Sequence, residues 1–121
     1  MTYRSNPIYW TDSYKLGHGP MYPPGTEVVY SYFESRVGAE YPETVFFGLQ
    51  PLLQQLSGNL ITKADIDSAE RLVAAHLGDK ALFNREGWEL ILEAYAGRLP
   101  LRIKAIPEGT AIPVGNVLMT V

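Results

Sequence analysis

The side chains able to do chemistry gather in two places. Asp12, Tyr14 and Lys15 lie in Thr11-Asp12-Ser13-Tyr14-Lys15-Leu16, and Glu34 and Arg36 end a second run, Val29-Tyr30-Ser31-Tyr32-Phe33-Glu34-Ser35-Arg36. Tyr14 offers an aromatic face that can hold a flat ring, and the Arg36 guanidinium is a fork that matches anionic oxygens better than an ammonium does. Polar groups at the ends of elements are common ligand positions, because a rigid scaffold projects them toward solvent. Each residue also has a purely structural alternative: Asp12 as a helix cap, Tyr14 as a packing residue, and Arg36 as a partner of Glu34 on the same strand face.

Other chemistries are poorly supplied. His18 and His76 are too few and too isolated for a metal site, and no glycine-rich phosphate loop precedes a helix. His76, beside Leu72 and Leu77 on a helix, reads as structural or exposed, and so does His18. There are no cysteines, which removes disulfides, thiolate zinc sites and thiol nucleophiles together. A formal net charge of −3 with scattered Lys and Arg offers no basic block for a nucleic-acid backbone. At 121 residues, 46% hydrophobic and 19% charged, the composition is that of one ordinary globular domain over 1–121, with no membrane span. The start has no apolar signal region, which points to the cytoplasm.

The elements that must position these residues follow from spacing. Gly17 and Gly19-Pro20 close off the Asp12 segment, leaving room for a turn or two of helix. Thr26 to Arg36 alternates and is rich in β-branched and aromatic residues, which predicts a strand. A shorter extended run, Thr44 to Phe47, stops at Gly48. Leu49, Leu52, Leu53 and Leu56 then recur at helical spacing, with Pro51 tolerable in the first turn. Thr62-Lys63-Ala64-Asp65 has the form of a capping box, followed by Ile66, Ala69, Val73 and Leu77 on one helix face and a stop at Gly78. Asn84 can cap another helix, whose stripe Trp88, Ile91, Leu92 and Tyr95 ends at Gly97 and should pack on the helix before it. From Leu101 the period becomes two, with turns at Pro107-Glu108-Gly109 and Gly115-Asn116, which suggests a small barrel or sandwich-like sheet. The chain stops inside the apolar run Val117 to Val121, and this reads as a sheet cut short.

Several of these stretches, in order and spacing, resemble the nicotinamide phosphoribosyltransferases. They are Thr11-Asp12-Ser13-Tyr14-Lys15, Tyr22-Pro23-Pro24, the run Val29 to Arg36, Glu43-Thr44-Val45-Phe46-Phe47-Gly48-Leu49-Gln50, Phe83-Asn84-Arg85-Glu86-Gly87-Trp88, Leu99 to Gly109, and Ile112-Pro113-Val114-Gly115-Asn116-Val117-Leu118. The likeness covers nearly the whole chain but only about the first quarter of an ordinary family member. It implies an α+β fold, with helices packed on a mainly antiparallel sheet as in the amino-terminal domain of type II phosphoribosyltransferases. The family turns nicotinamide and phosphoribosyl pyrophosphate into nicotinamide mononucleotide and pyrophosphate, the entry step of NAD salvage. Its active sites lie between two subunits of a head-to-tail dimer, so a homo-oligomer is expected.

The resemblance further implies that Tyr14 stacks on the nicotinamide ring, Asp12 lies beside its carboxamide, and Arg36 binds phosphate or pyrophosphate oxygens. These are binding roles; none is assigned as a catalytic group. Magnesium and ATP-driven enhancement are implied for the complete enzyme through groups of a barrel domain that this chain lacks, so no cofactor is expected here and no turnover by the chain alone. Between Arg36 and Glu43 this chain has only Val37-Gly38-Ala39-Glu40-Tyr41-Pro42, where vertebrate members carry a longer, basic loop. The alternative expectation is a non-catalytic binding or dimerisation module that retains the fold.

Overall fold

A computed structural model describes residues 5–58 and 60–121. The chain divides into two compact units, each assembled from two stretches of sequence. One holds the amino-terminal stretch up to Thr26 together with Leu56–Pro100, and the other holds Glu27–Gln55 with Leu101–Val121. The elements are α1 (Leu49–Leu56), α2 (Lys63–Leu77) and α3 (Arg85–Ala94), with strands β1 (Tyr32–Glu34), β2 (Glu43–Val45), β3 (Lys104–Ala105), β4 (Ala111–Pro113) and β5 (Val117–Thr120). Every described strand pair is antiparallel, so the α+β class with antiparallel sheets holds as expected.

The first unit is a helical layer built on α2. Its capping box is formed: the Thr62 hydroxyl accepts from the Asp65 amide at 3.3 Å, and the Thr62 amide donates to the Asp65 carboxylate at 2.9 Å. Two amide protons that the helix leaves without internal acceptors are thereby satisfied. Ile66, Ala69 and Val73 fall on one face and are completely buried, joined in the core by Ile8, Ile61 and Phe83. Gly78 ends α2 in the left-handed conformation. Asn84 caps α3 through its side-chain oxygen, which accepts from the Gly87 amide at 3.0 Å. A short 3-10 turn, Pro7–Tyr9, is pinned to α2 because the Asn6 amide group donates to the Asp65 carbonyl at 2.8 Å and the Tyr9 and Ser68 hydroxyls meet at 2.8 Å.

Two further contacts lock α3 onto α2. The Arg85 guanidinium spreads over three carboxylates, reaching Asp67 at 2.7 Å, Glu70 at 2.9 Å and Glu89 at 2.8 Å. Hydrogen bonding from Arg85 first, and from Lys63 second, holds the Asp67 carboxyl below the usual carboxylate range. Beyond the other end of α3, the Gly97 carbonyl accepts the amides of Leu60 at 3.0 Å and Ile61 at 2.9 Å, just ahead of α2. Gly97 has φ +76, and a Cβ there would run into the Ile61 carbonyl oxygen.

The second unit carries the sheets. β5 is the middle strand of a three-stranded sheet in the order β1-β5-β3, and β2 pairs with β4. Ser31 and Val121 exchange both backbone hydrogen bonds at 2.9 Å, continuing the β1–β5 ladder past the strand end. At the amino end of α1, which has no acidic residue in its own first turn, a Glu108 carboxylate oxygen accepts from the Gly48 amide at 3.0 Å and the Gln50 amide at 2.9 Å. The negative charge thus meets the positive end of the helix dipole.

Two expectations need correction. The strand foreseen over Thr26 to Arg36 shrinks to Tyr32–Glu34, because pairing to the carboxy-terminal strand begins only at Ser31; Val28 and Tyr30 stand exposed. The strands after Leu101 do not close into one barrel or sandwich, since β3 and β5 join β1 while β4 turns to β2. The leucine stripe of α1 forms at helical spacing, yet no residue of α1 is buried. Only Phe46 and Leu118 are buried among the described residues of this unit.

Gly97→Ala should lower unfolding free energy by about 3 kcal/mol or more, combining a left-handed backbone penalty with a backbone collision. Gly25→Ala, at φ +82 with open space around it, should cost roughly 1–2 kcal/mol from backbone conformation alone. Urea denaturation of the two variants measures the gap, and equal losses would remove the Gly97–Ile61 approach as a determinant. For Asp67 the sign follows from its lowered folded-state value: its stabilisation is present above the ordinary carboxylate range near pH 4 and disappears as pH falls through the lower folded value. Asp67→Asn should therefore be less stable than the wild type at neutral pH and show a shallower loss of stability on acidification, as followed by thermal melts across that range.

Candidate functional site

The Asp12–Lys15 stretch forms a 3-10 turn, Ser13–Gly17. Its inward side is fixed by packing. Leu16 lies against the core cluster, and Gly17 is buried where an added Cβ would sit 3.5 Å from Leu77 and 3.7 Å from Leu82. The backbone is tied by Lys15 N–H to the Asp12 carbonyl at 3.0 Å and His18 N–H to the Lys15 carbonyl at 3.1 Å. With Leu16 and Gly17 taken up by the core, Asp12, Tyr14 and Lys15 are left outside, and Tyr14 is 60% exposed.

These outward side chains touch one another. The Asp12 carboxylate and Lys15 ammonium pair at 3.1 Å. That ammonium stands 5.7 Å from the centre of the Tyr14 ring, within cation–π range, and the His18 ring lies 5.4 Å from it at a 58° tilt. The hydrogen bond from Lys15 to Asp12, then the neighbouring Tyr14, hold the Lys15 ammonium above the usual lysine range. Asp12 occupies the N-cap position without making a side-chain cap hydrogen bond. The capping alternative therefore fails, and so does the packing alternative for Tyr14.

A cavity of about 550 Å³ opens in the same unit, walled by Trp10, Tyr22 and Trp88 and bordered by Lys15 and His18. Asp12 and Tyr14 are not among its lining residues. The cavity and the exposed ring thus share the two cationic or ionisable neighbours, without sharing the ring itself.

Arg36 belongs to the other unit. It follows β1 directly, where the Ser35 carbonyl accepts the Gly115 amide at 2.7 Å and the Arg36 carbonyl accepts the Ala39 amide at 3.2 Å, so its backbone is held by the sheet and by a turn. Arg36 is exposed, and among the described residues no carboxylate lies within salt-bridge distance of its guanidinium, Glu34 included. The intrastrand pairing alternative is thereby removed. The structure brings Asp12 and Tyr14 together in one segment and leaves Arg36, among the described residues, without a carboxylate partner.

His18 was missed as part of this group. The signal was its place four residues after Tyr14, a spacing that brings side chains together on one side of a helical turn. His76 is exposed in the last turn of α2, and among the described residues no three His, Asp or Glu side chains gather into a metal-holding group. In the first unit the exposed Tyr14 ring is suited to holding a flat ligand, and in the second the exposed Arg36 guanidinium is suited to an anion.

Comparison with known proteins agrees with the fold and the motifs. The family described as nicotinamide phosphoribosyltransferase, N-terminal domain, matches residues 6–103. A nicotinamide phosphoribosyltransferase of Xanthomonas campestris pv. campestris is 48% identical over 121 residues, covering 100% of this chain and 25% of the relative. One from Acinetobacter baylyi is 32% identical over 136 aligned positions, covering 100% of this chain and 26% of the relative. The chain spans about a quarter of the length of the curated relatives it matches. It belongs to the nicotinamide phosphoribosyltransferase N-terminal domain family.

Proposed function

We propose that residues 1–121 form the amino-terminal domain of a nicotinamide phosphoribosyltransferase and supply one wall of an active site completed by a barrel domain and shared between two subunits. The reaction is transfer of the phosphoribosyl group to nicotinamide, giving nicotinamide mononucleotide and pyrophosphate in NAD salvage. The observation that carries the proposal is the 48% identity over the entire chain to the Xanthomonas relative of that name.

In this reading Tyr14 stacks on the pyridine ring, Asp12 lies beside the carboxamide, and Arg36 holds phosphate or pyrophosphate oxygens. The exposed Tyr14 ring and the unpaired Arg36 guanidinium support these roles, because both retain the surface a ligand needs. The Asp12–Lys15 pair supports a binding role for Asp12, since its carboxylate is already engaged by an ammonium. In glycosyl transfer through an oxocarbenium-like centre, such a wall contributes positioning and screening of pyrophosphate charge. In this reading magnesium and ATP act through groups of the barrel domain in the complete enzyme. Among the described residues no helix is long and apolar enough to cross a membrane.

A second reading is a non-catalytic module that keeps the fold and associates through apolar surface. The exposed Val28, Tyr30, Val45 and Phe47 of the sheet unit favour it.

Mixing the chain with a matching barrel chain separates the two. Formation of nicotinamide mononucleotide is expected from the mixture and not from the chain alone; a mixture that assembles without product would support the module. In the active mixture, Tyr14→Ala should raise the nicotinamide KM about 3- to 10-fold, in line with the value of an aromatic stacking pair. Arg36→Ala should reduce phosphoribosyl pyrophosphate use about 10- to 100-fold, as expected for charge-assisted hydrogen bonds. Unchanged kinetics in both variants would overturn the site.

A further inference from the structure

We propose that His18 is a positioning residue that sets the tilt of the Tyr14 ring. The inference rests on the reading that Tyr14 stacks on the substrate's ring and adds the question of what holds Tyr14 in place. More than half of that ring is open to solvent, so core packing cannot fix its plane. An unrestrained tyrosine turns among rotamers, and each rotamer lost on binding weakens the complex.

His18 is the neighbour best anchored to supply the restraint. Its amide donates to the Lys15 carbonyl at 3.1 Å, and its own carbonyl accepts the Met21 amide at 2.9 Å. It therefore joins two consecutive 3-10 turns, Ser13–Gly17 and Gly19–Met21, with its backbone bonded on both sides. The glycines flanking it lie close to the helical layer. Gly17 faces Leu77 and Leu82, and a Cβ on Gly19 would sit 3.0 Å from the Cβ of Asn84, the residue that caps α3. A side chain on Gly19 would crowd Asn84, while at Gly17 a Cβ would only touch Leu77 and Leu82, so the half-buried His18 sits low on the helical layer while its ring meets Tyr14.

The ring geometry is of the favourable kind. A centroid separation of 5.4 Å and a tilt of 58° lie between stacked and edge-to-face arrangements, the range in which aromatic pairs attract. Lys15 approaches the same ring at 5.7 Å but is tethered to Asp12 by a surface ion pair on a flexible stem, which makes it a poor setter of angle. An imidazole with only two side-chain torsions, on a doubly bonded backbone, is the stiffer support.

The test begins with the 121-residue chain and needs no ligand. Tyr14 ring resonances, assigned by their loss in Tyr14→Ser, are compared in the wild type, His18→Ala and His18→Phe. Ring-current displacement of the Tyr14 protons should collapse toward unstructured values in His18→Ala and return in His18→Phe, with methyl resonances of Ile66 and Val73 unmoved throughout. Tyr14 shifts indifferent to His18→Ala, or core methyls moving with them, would overturn the proposal. With a barrel chain added, His18→Ala should raise the nicotinamide KM about threefold with kcat unchanged, and His18→Phe should restore it. If Tyr14→Ala raises that KM and His18→Ala does not, positioning by His18 fails while stacking stands. If neither changes it, the stacking reading itself fails and takes this inference with it.

Discussion

The helical unit depends on one close approach of backbone to backbone, at Gly97. Its carbonyl takes two successive amide protons from the stretch entering α2, in a space that admits no side chain. Ile61 is buried at that contact, and Thr62 follows it directly as the cap of α2. The start of one helix and the exit of the other are thereby set against each other, with Arg85 joining them at the opposite end of α3. Once α2 is placed, Ile66, Ala69 and Val73 define the core floor, and Leu16 packs against that cluster beside the buried Gly17. The outward aim of Tyr14 is therefore a distant result of a glycine more than one element away.

Local signals in the sequence were sufficient wherever a boundary is made by neighbours in sequence. The Thr62–Asp65 reciprocity and the Gly78 stop each need only a few residues, so the limits of α2 could be read directly. Asn84 as a cap and Pro51 within the first turn of α1 are of the same kind. Long-range choices were not legible. Val28, Val29 and Tyr30 have every property of strand residues, but whether they pair depends on partners remote in sequence, and the β1–β5 ladder reaches only Ser31, opposite Val121. The division of strands into β1-β5-β3 and β2-β4 likewise depends on partners remote in sequence. Glu108 at the head of α1 is the clearest instance: the turn residue was visible, and the helix it serves lies 58 to 60 positions away.

The candidate site shows the same division. Residue types marked Asp12, Tyr14 and Arg36 as groups able to bind, and the resemblance to a family gave them roles. What no pattern displayed was which competing contacts each would make. Asp12 proves to hold Lys15 instead of a helix amide, and Arg36 keeps clear of Glu34 because β1 ends at Glu34 and Arg36 falls in the turn beyond it. His18 looked ordinary because an isolated histidine usually is; its significance comes from an aromatic neighbour one turn back and from glycines on either side.

The order of strands has a consequence for how the chain is born. β5 follows β1 and β3 in sequence, yet it lies between them and supplies the hydrogen-bonding partners of both. During translation the aromatic run ending in Tyr32 and Phe33 emerges early and must wait for residues 117–121, on the order of ten seconds at ordinary elongation rates. For that interval a sticky extended segment is available to any hydrophobic surface nearby, including its copies on neighbouring ribosomes of one message. The sheet-bearing unit thus closes only after distant residues are made, whereas the α2 capping box and its stop at Gly78 can form as soon as that helix clears the exit tunnel.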